Sequence, residues 1–120
     1  MQGIHLIGDC YGCPAQADVF TRAEALCAIC VRLANEAGLT VLGERFHQFE
    51  PQGVTGMVLL AESHLAVHTW PEHGYATVDV YACNYTANNM RKAERLFDAI
   101  RAVLQPARVV CRRIERGGDE

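Results

Sequence analysis

Tyr75 to Cys83 alternate without a break: Ala76, Val78 and Val80 fall on one side of an extended chain, and Thr77, Asp79, Tyr81 and Cys83 on the other. Successive side chains of a strand point to opposite faces, so this stretch reads as a strand with one buried face. A sheet with one apolar face needs helices over it. The rest of the chain has to supply them.

Two segments do. After Thr21-Arg22-Ala23-Glu24, which has the capping-box form, Leu26, Cys30, Leu33 and Ala37 recur at helical spacing, and Gly38 offers a left-handed stop. Met90, Ala93, Phe97, Ile100 and Leu104 make a second stripe, preceded by the polar loop Asn84 to Asn89 and ended by Pro106. The remaining apolar runs read as strands: Ile4 to Asp9, Thr40 to Phe49, Val54 to Ala61, Glu62 to Thr69, and a closing strand around Val109 and Cys111. Pro51-Gln52-Gly53 and Trp70 to Gly74 read as turns, Cys10 to Asp18 as a loop, and the Gly-Gly-Asp-Glu tail as frayed. Most connections are too short for parallel crossovers. The expectation is α+β: a two-layer sandwich with a largely antiparallel sheet and two main helices on one face, in a single domain over residues 1–120.

Charge and length exclude several classes. Eleven basic and fourteen acidic residues leave a formal charge of -3 with no basic stripe, so no nucleic acid partner is expected. Met1-Gln2-Gly3-Ile4-His5 lacks a positive region followed by an apolar one, and no run is long enough to span a bilayer, which points to a soluble, cytoplasmic protein. At 120 residues the chain is short for an enzyme that closes a pocket alone, so a pocket shared in a homo-oligomer is expected. Cys10-Tyr11-Gly12-Cys13 and Cys27-Ala28-Ile29-Cys30 have zinc-like spacing, but the second pair lies among apolar helix residues, where reduced cysteine behaves as a small hydrophobe. Neither metal nor disulfide is expected.

Ala61 to Glu72 carries the chemistry. An acid, a hydroxyl and two imidazoles interrupt an otherwise apolar strand, with His64 and His68 on one side and Leu65 and Val67 on the other. If Leu65 and Val67 join Val78 and Val80 under the helices, His68 and Cys83 share the opposite face and are free to meet. A strand edge with solvated histidines would explain the same pattern.

Glu62-Ser63-His64-Leu65, His68-Thr69-Trp70-Pro71-Glu72 and Asp79-Val80-Tyr81-Ala82-Cys83, with Phe46-His47-Gln48-Phe49 and Gly53-Val54-Thr55-Gly56 upstream, resemble the small prokaryotic S-adenosylmethionine decarboxylases, pyruvoyl enzymes of polyamine synthesis. The resemblance runs from His5-Leu6 to the last strand. Decarboxylation of an amino acid needs a carbonyl electron sink acting through a Schiff base, and Lys92, the only lysine, lies on the expected second helix.

The resemblance implies that the carbonyl is made from the backbone. Ser63 attacks the Glu62 carbonyl, the chain is cut into a beta chain (1–62) and an alpha chain (63–120), and Ser63 becomes the pyruvoyl cofactor. It further implies that His68 is the proton acceptor in processing, Thr55 a processing support where the family usually has Ser, and Cys83 the proton donor. Phe49 resembles the aromatic that stacks on adenine, and Glu72 a second wall supplied across a homodimer. The product would be the aminopropyl donor for spermidine. Ala82-Cys83-Asn84 departs from the Thr-Cys-Gly common in the family. Relatives on the scaffold decarboxylate ornithine or arginine, which stands as the alternative substrate class. A zinc-binding or structural module, with Glu62-Ser63 intact, is the alternative from outside enzymes.

Overall fold

The structure, a computed structural model, describes residues 1–85 and 87–118. Thr86 in the polar loop and Asp119 and Glu120 in the tail lie outside them. Six strands, β1 (Gly3–Tyr11), β2 (Val41–Gln48), β3 (Val54–Leu60), β4 (Ser63–Trp70), β5 (Tyr75–Cys83) and β6 (Arg108–Arg116), form one sheet in the order β2-β3-β4-β5-β1-β6. Every pairing is antiparallel. Helix α2 (Ala23–Glu36) packs over β2 and β3, and α3 (Met90–Leu104) over β1 and β5, both on one face. The expected α+β sandwich is therefore present.

Alternation decides which side is covered. Ile4, Leu6, Val58, Leu65, Val67, Val78 and Val80 are buried under the helices against Leu26, Cys30, Leu96, Phe97 and Ile100. Each such aliphatic side chain contributes about 1.5–3 kcal/mol by leaving water. The opposite face is open and mixed. It carries His5, Thr55, His64, His68, Tyr81 and Cys83, together with Met57, Leu59 and Ile114, which are each at least 40% exposed.

The start of α2 differs from the expected capping box. Residues Asp18–Thr21 form a short helix, α1, and the cap position of α2 is Arg22, without a side-chain cap bond. The Thr21 hydroxyl donates back to the Ala17 carbonyl, 3.3 Å away. The acceptor for the Ala23 N–H is instead Oε1 of Gln48, from the end of β2. Gln48 Nε2 donates to the carbonyls of Thr21 (3.0 Å), Phe49 (2.8 Å) and Gly53 (3.1 Å), so one amide ties the helix start to the loop after β2. Gly38, with φ 89°, ends the helix as expected.

Candidate active site

Leu60 pairs with Ser63, so Ala61 and Glu62 are the two turn residues of the β3–β4 hairpin. Two-residue hairpins favour turns with positive φ at a central residue, because that twist matches the strands. Neither Ala61 nor Glu62 has it. Positive φ falls one residue later, on Ser63 at 153°, one of two non-glycine cases among the described residues. Such a conformation costs about 1–3 kcal/mol and persists only where its surroundings hold it.

The surroundings are hydrogen bonds to Glu62 and Cys83. The Glu62 carbonyl accepts the Cys83 N–H at 2.8 Å. The Glu62 carboxylate, 7% exposed, accepts the Thr40 N–H and the Thr40 hydroxyl, each at 3.1 Å. Cys83 is fixed in turn, because buried Asn89 donates from Nδ2 to its carbonyl at 2.9 Å. The bond between residues 62 and 63 therefore lies beside a hydroxyl, with its carbonyl oxygen on an amide donor and a thiol-bearing residue alongside.

The other end of β4 carries a second group. Thr55 and His68 are register partners on β3 and β4, with Oγ1 of Thr55 3.0 Å from Nδ1 of His68. The His68 ring tilts against Trp70, 6.0 Å between centroids, and Trp70 against Tyr75, 5.3 Å. A cavity of about 420 Å³ opens here, lined by Phe49, Pro51, Gly53, Thr55, Trp70 and Glu72. Phe49 and Glu72 thus share one cavity of one chain, with Gln48 holding the loop that carries Phe49.

Between the ends, His64, Tyr81 and His5 stand side by side on β4, β5 and β1, with ring centroids 5.6–6.2 Å apart, and Arg116 lies over the Tyr81 ring. Burial, and then the neighbouring His5, hold His64 below the usual imidazole pKa.

The two ends do not meet within a chain. Ser63 pairs with Ala82 and His68 with Thr77, so the serine and the imidazole are five residues apart on one strand, about 16 Å at roughly 3.3 Å per residue. The sequence pattern left His68 and Cys83 free to meet; within a single subunit they do not. Their strands are neighbours and both lie on the open face, but Cys83 is at the Ser63 end.

Comparison with known proteins bears on this arrangement. The family model described as S-adenosylmethionine decarboxylase matches residues 4–117. The chain belongs to this family. The S-adenosylmethionine decarboxylase proenzymes of Picrophilus torridus and Aquifex aeolicus are 43% and 44% identical to it over 115 residues, covering 96% of this chain and 84% and 81% of theirs. The crystal structure of the adenosylmethionine decarboxylase from Aquifex aeolicus superposes with a TM-score of 0.87 at 42% identity, covering 98% of this chain and 92% of that one.

In this member of the S-adenosylmethionine decarboxylase family, half of the cysteines are core residues. Cys10, Cys13 and Cys30 are buried and all six are free. Burial pushes the Cys13 thiol up to about 11 and the Cys30 thiol up to about 12, neighbouring cysteines adding to both. Among the described residues no group of three or more His, Cys, Asp or Glu is placed to hold a metal, and no helix is long and apolar enough to cross a membrane. Sequence reasoning missed Gln48, Thr40 and Asn89. Gln48 and Thr40 act through bonds to residues more than twenty positions away, and Asn89 through one across the loop to Cys83, six positions away; only Gln48 had a local signal, its place beside Phe49.

Proposed function

We propose that this chain is an S-adenosylmethionine decarboxylase that matures by cutting its own backbone between Glu62 and Ser63, leaving residues 1–62 and 63–120. The observation that carries the reading is the state of that one peptide: strained φ at Ser63 and a Glu62 carbonyl held on the Cys83 N–H. When the Ser63 hydroxyl adds to this carbonyl, negative charge grows on the oxygen, and the amide donor is already in place to stabilise it. The peptide becomes an ester, and loss of the Ser63 α-proton releases the two pieces.

The residues fit the group this would leave. The Cys83 N–H bonds the Glu62 carbonyl beside the serine, and the same residue carries a thiol. A pyruvoyl group derived from Ser63 would supply the carbonyl electron sink that decarboxylation of an amino acid needs. Cys83, whose N–H bonds the Glu62 carbonyl, would hold on Sγ the proton delivered to the carbon that lost carbon dioxide. Phe49 gives an aromatic face for the adenine, and Glu72 an acceptor for the sugar hydroxyls, in the 420 Å³ cavity.

His68 is the proton acceptor for the elimination, and it comes from a second subunit. It lies too far along β4 to reach Ser63 of its own chain. A two-fold copy laid open face to open face, with strands running oppositely, brings the His68 end of one β4 over the Ser63 end of the other. The exposed Met57, Leu59 and Ile114 support a covered face. Each site then takes Ser63 and Cys83 from one protomer, and Thr55, His68, Phe49 and Glu72 from its partner. Thr55 Oγ1 bonds His68 Nδ1 and so orients the ring; in the tautomer with the proton on Nδ1, Nε2 would be free to take the proton. Six free cysteines support a reducing compartment, the cytoplasm.

The test is mass spectrometry with a substrate panel. Expected are two pieces, the second beginning with a blocked pyruvoyl group, and carbon dioxide release from S-adenosylmethionine. Active protein found as one intact chain, or activity confined to ornithine or arginine, would overturn the corresponding half.

A further inference from the structure

We propose that Thr40 is a positioning residue for the self-cleavage: by gripping both oxygens of the Glu62 carboxylate, it holds the Glu62 carbonyl where the Ser63 hydroxyl attacks. The inference rests on the cut falling between Glu62 and Ser63.

Thr40 sits just before β2 and makes three bonds to the turn that carries the cut. Its carbonyl accepts the Ala61 N–H at 2.9 Å, its N–H donates to Glu62 Oε1, and its hydroxyl donates to Glu62 Oε2. Glu62 is buried, and none of the ion pairs among the described residues includes it. A buried carboxylate without a cation is costly unless its oxygens are bonded, and among the described residues those bonds come from residue 40. An uncomplicated two-residue turn would be served by Asn or Gly, with no buried acid.

Glu62 is thus held at both ends, its side chain by Thr40 and its carbonyl by the Cys83 N–H. Relaxing Ser63 from φ 153° requires rotating the peptide between the two residues, which turns that carbonyl. With both ends of Glu62 fixed, the rotation is blocked. In the step this serves, a bond forms from Ser63 Oγ to the Glu62 carbonyl carbon, the Glu62 C to Ser63 N bond breaks, and the hydroxyl proton ends on the freed amine. No electrons are exchanged with another reactant.

The rate of cutting is followed after cell-free synthesis in wild type, Thr40→Val and Thr40→Ser. Valine keeps the shape and the backbone N–H but loses the hydroxyl, whereas serine keeps both donors. Thr40→Val should cut about tenfold more slowly, as expected for one lost charge-assisted hydrogen bond, and Thr40→Ser should recover most of the rate. The Thr40→Val precursor should resist hydroxylamine, because an amide accumulates, while the His68→Ala precursor should be split by it as an ester. Wild-type cutting rate in Thr40→Val, or a hydroxylamine-sensitive Thr40→Val precursor, overturns the proposal. If Thr40→Val lacks a thermal unfolding transition, Glu62→Gln replaces it, since its amide can accept only one of the two donors; an unslowed Glu62→Gln overturns the proposal. A wild-type chain that never cuts removes instead the reading on which it rests.

Discussion

The Thr55 hydroxyl lies 3.0 Å from Nδ1 of His68, at the opposite end of β4 from Ser63. Within one subunit this pair has no serine to act on. Mixing two inactive variants exposes the point. In a heterodimer of Ser63→Ala and His68→Ala chains, one site combines the intact Ser63 of the second with the intact His68 of the first. Random pairing of equal amounts should leave about half of the His68→Ala chains cut, which gel electrophoresis reads directly. No cutting in the mixture would place both residues in one subunit's site.

Thr55→Val removes the hydroxyl that bonds His68 Nδ1 while leaving the imidazole. Losing one such bond, worth about 0.5–1.5 kcal/mol, should slow release of the two pieces roughly threefold to tenfold. Thr55→Ser, which keeps the hydroxyl, should cut at least as fast as wild type. The rate of appearance of the second piece measures both.

Cys83→Ala keeps the backbone N–H that holds the Glu62 carbonyl but removes the thiol. Cutting should still go to completion, with turnover lower by about 10²-fold or more, the usual worth of a general acid. Failure to cut would mean that the side chain also serves the first step.

His64 is held below the usual imidazole pKa, by burial first and then by His5 and Arg116, with Asp79 opposing. The folded protein keeps it neutral where the unfolded chain, titrating near pH 6.5, takes up a proton. This contribution to stability is present above about pH 6.5 and is lost as pH falls below it. The melting temperature should therefore drop less between pH 7 and pH 5 in His64→Gln than in wild type. Equal slopes would contradict the assignment.

Cys30 has the opposite sign. Its folded pKa is pushed up to about 12 from an ordinary value of 9.0, so its contribution is complete below pH 9 and declines as pH rises toward 12. Wild type should lose melting temperature between pH 9 and pH 11 more steeply than Cys30→Ala, even if the variant starts lower. Parallel curves would show that the thiol is not shielded.

The sheet was legible because alternation is local. The Tyr75 to Cys83 pattern gave β5 its bounds and its buried side, and the same parity put His68 on the open face. The start of α2 was misread because its acceptor, Gln48, arrives from β2, while Thr21, Arg22, Ala23 and Glu24 look locally complete. Whether His68 meets Cys83 stayed open in the sequence for a different reason. Parity fixes the face but not the position along the strand, and His68 pairs with Thr77, six residues along β5 from Cys83. The grip of Thr40 on Glu62 needed the fold, since nothing in the sequence brings residue 40 to residue 62.

The strand order has a consequence for the protein's life history. Strands β1, β2 and β3 precede the proposed cut and β4, β5 and β6 follow it, yet β1 lies between β5 and β6, and β4 between β3 and β5. The two pieces would therefore be woven through one another and would stay together once the bond is gone. Their joining, however, would no longer be the collapse of a single chain. Once melted, mature protein would have to reassemble in a reaction that depends on concentration, so that each molecule folds unaided only once, before it is cut.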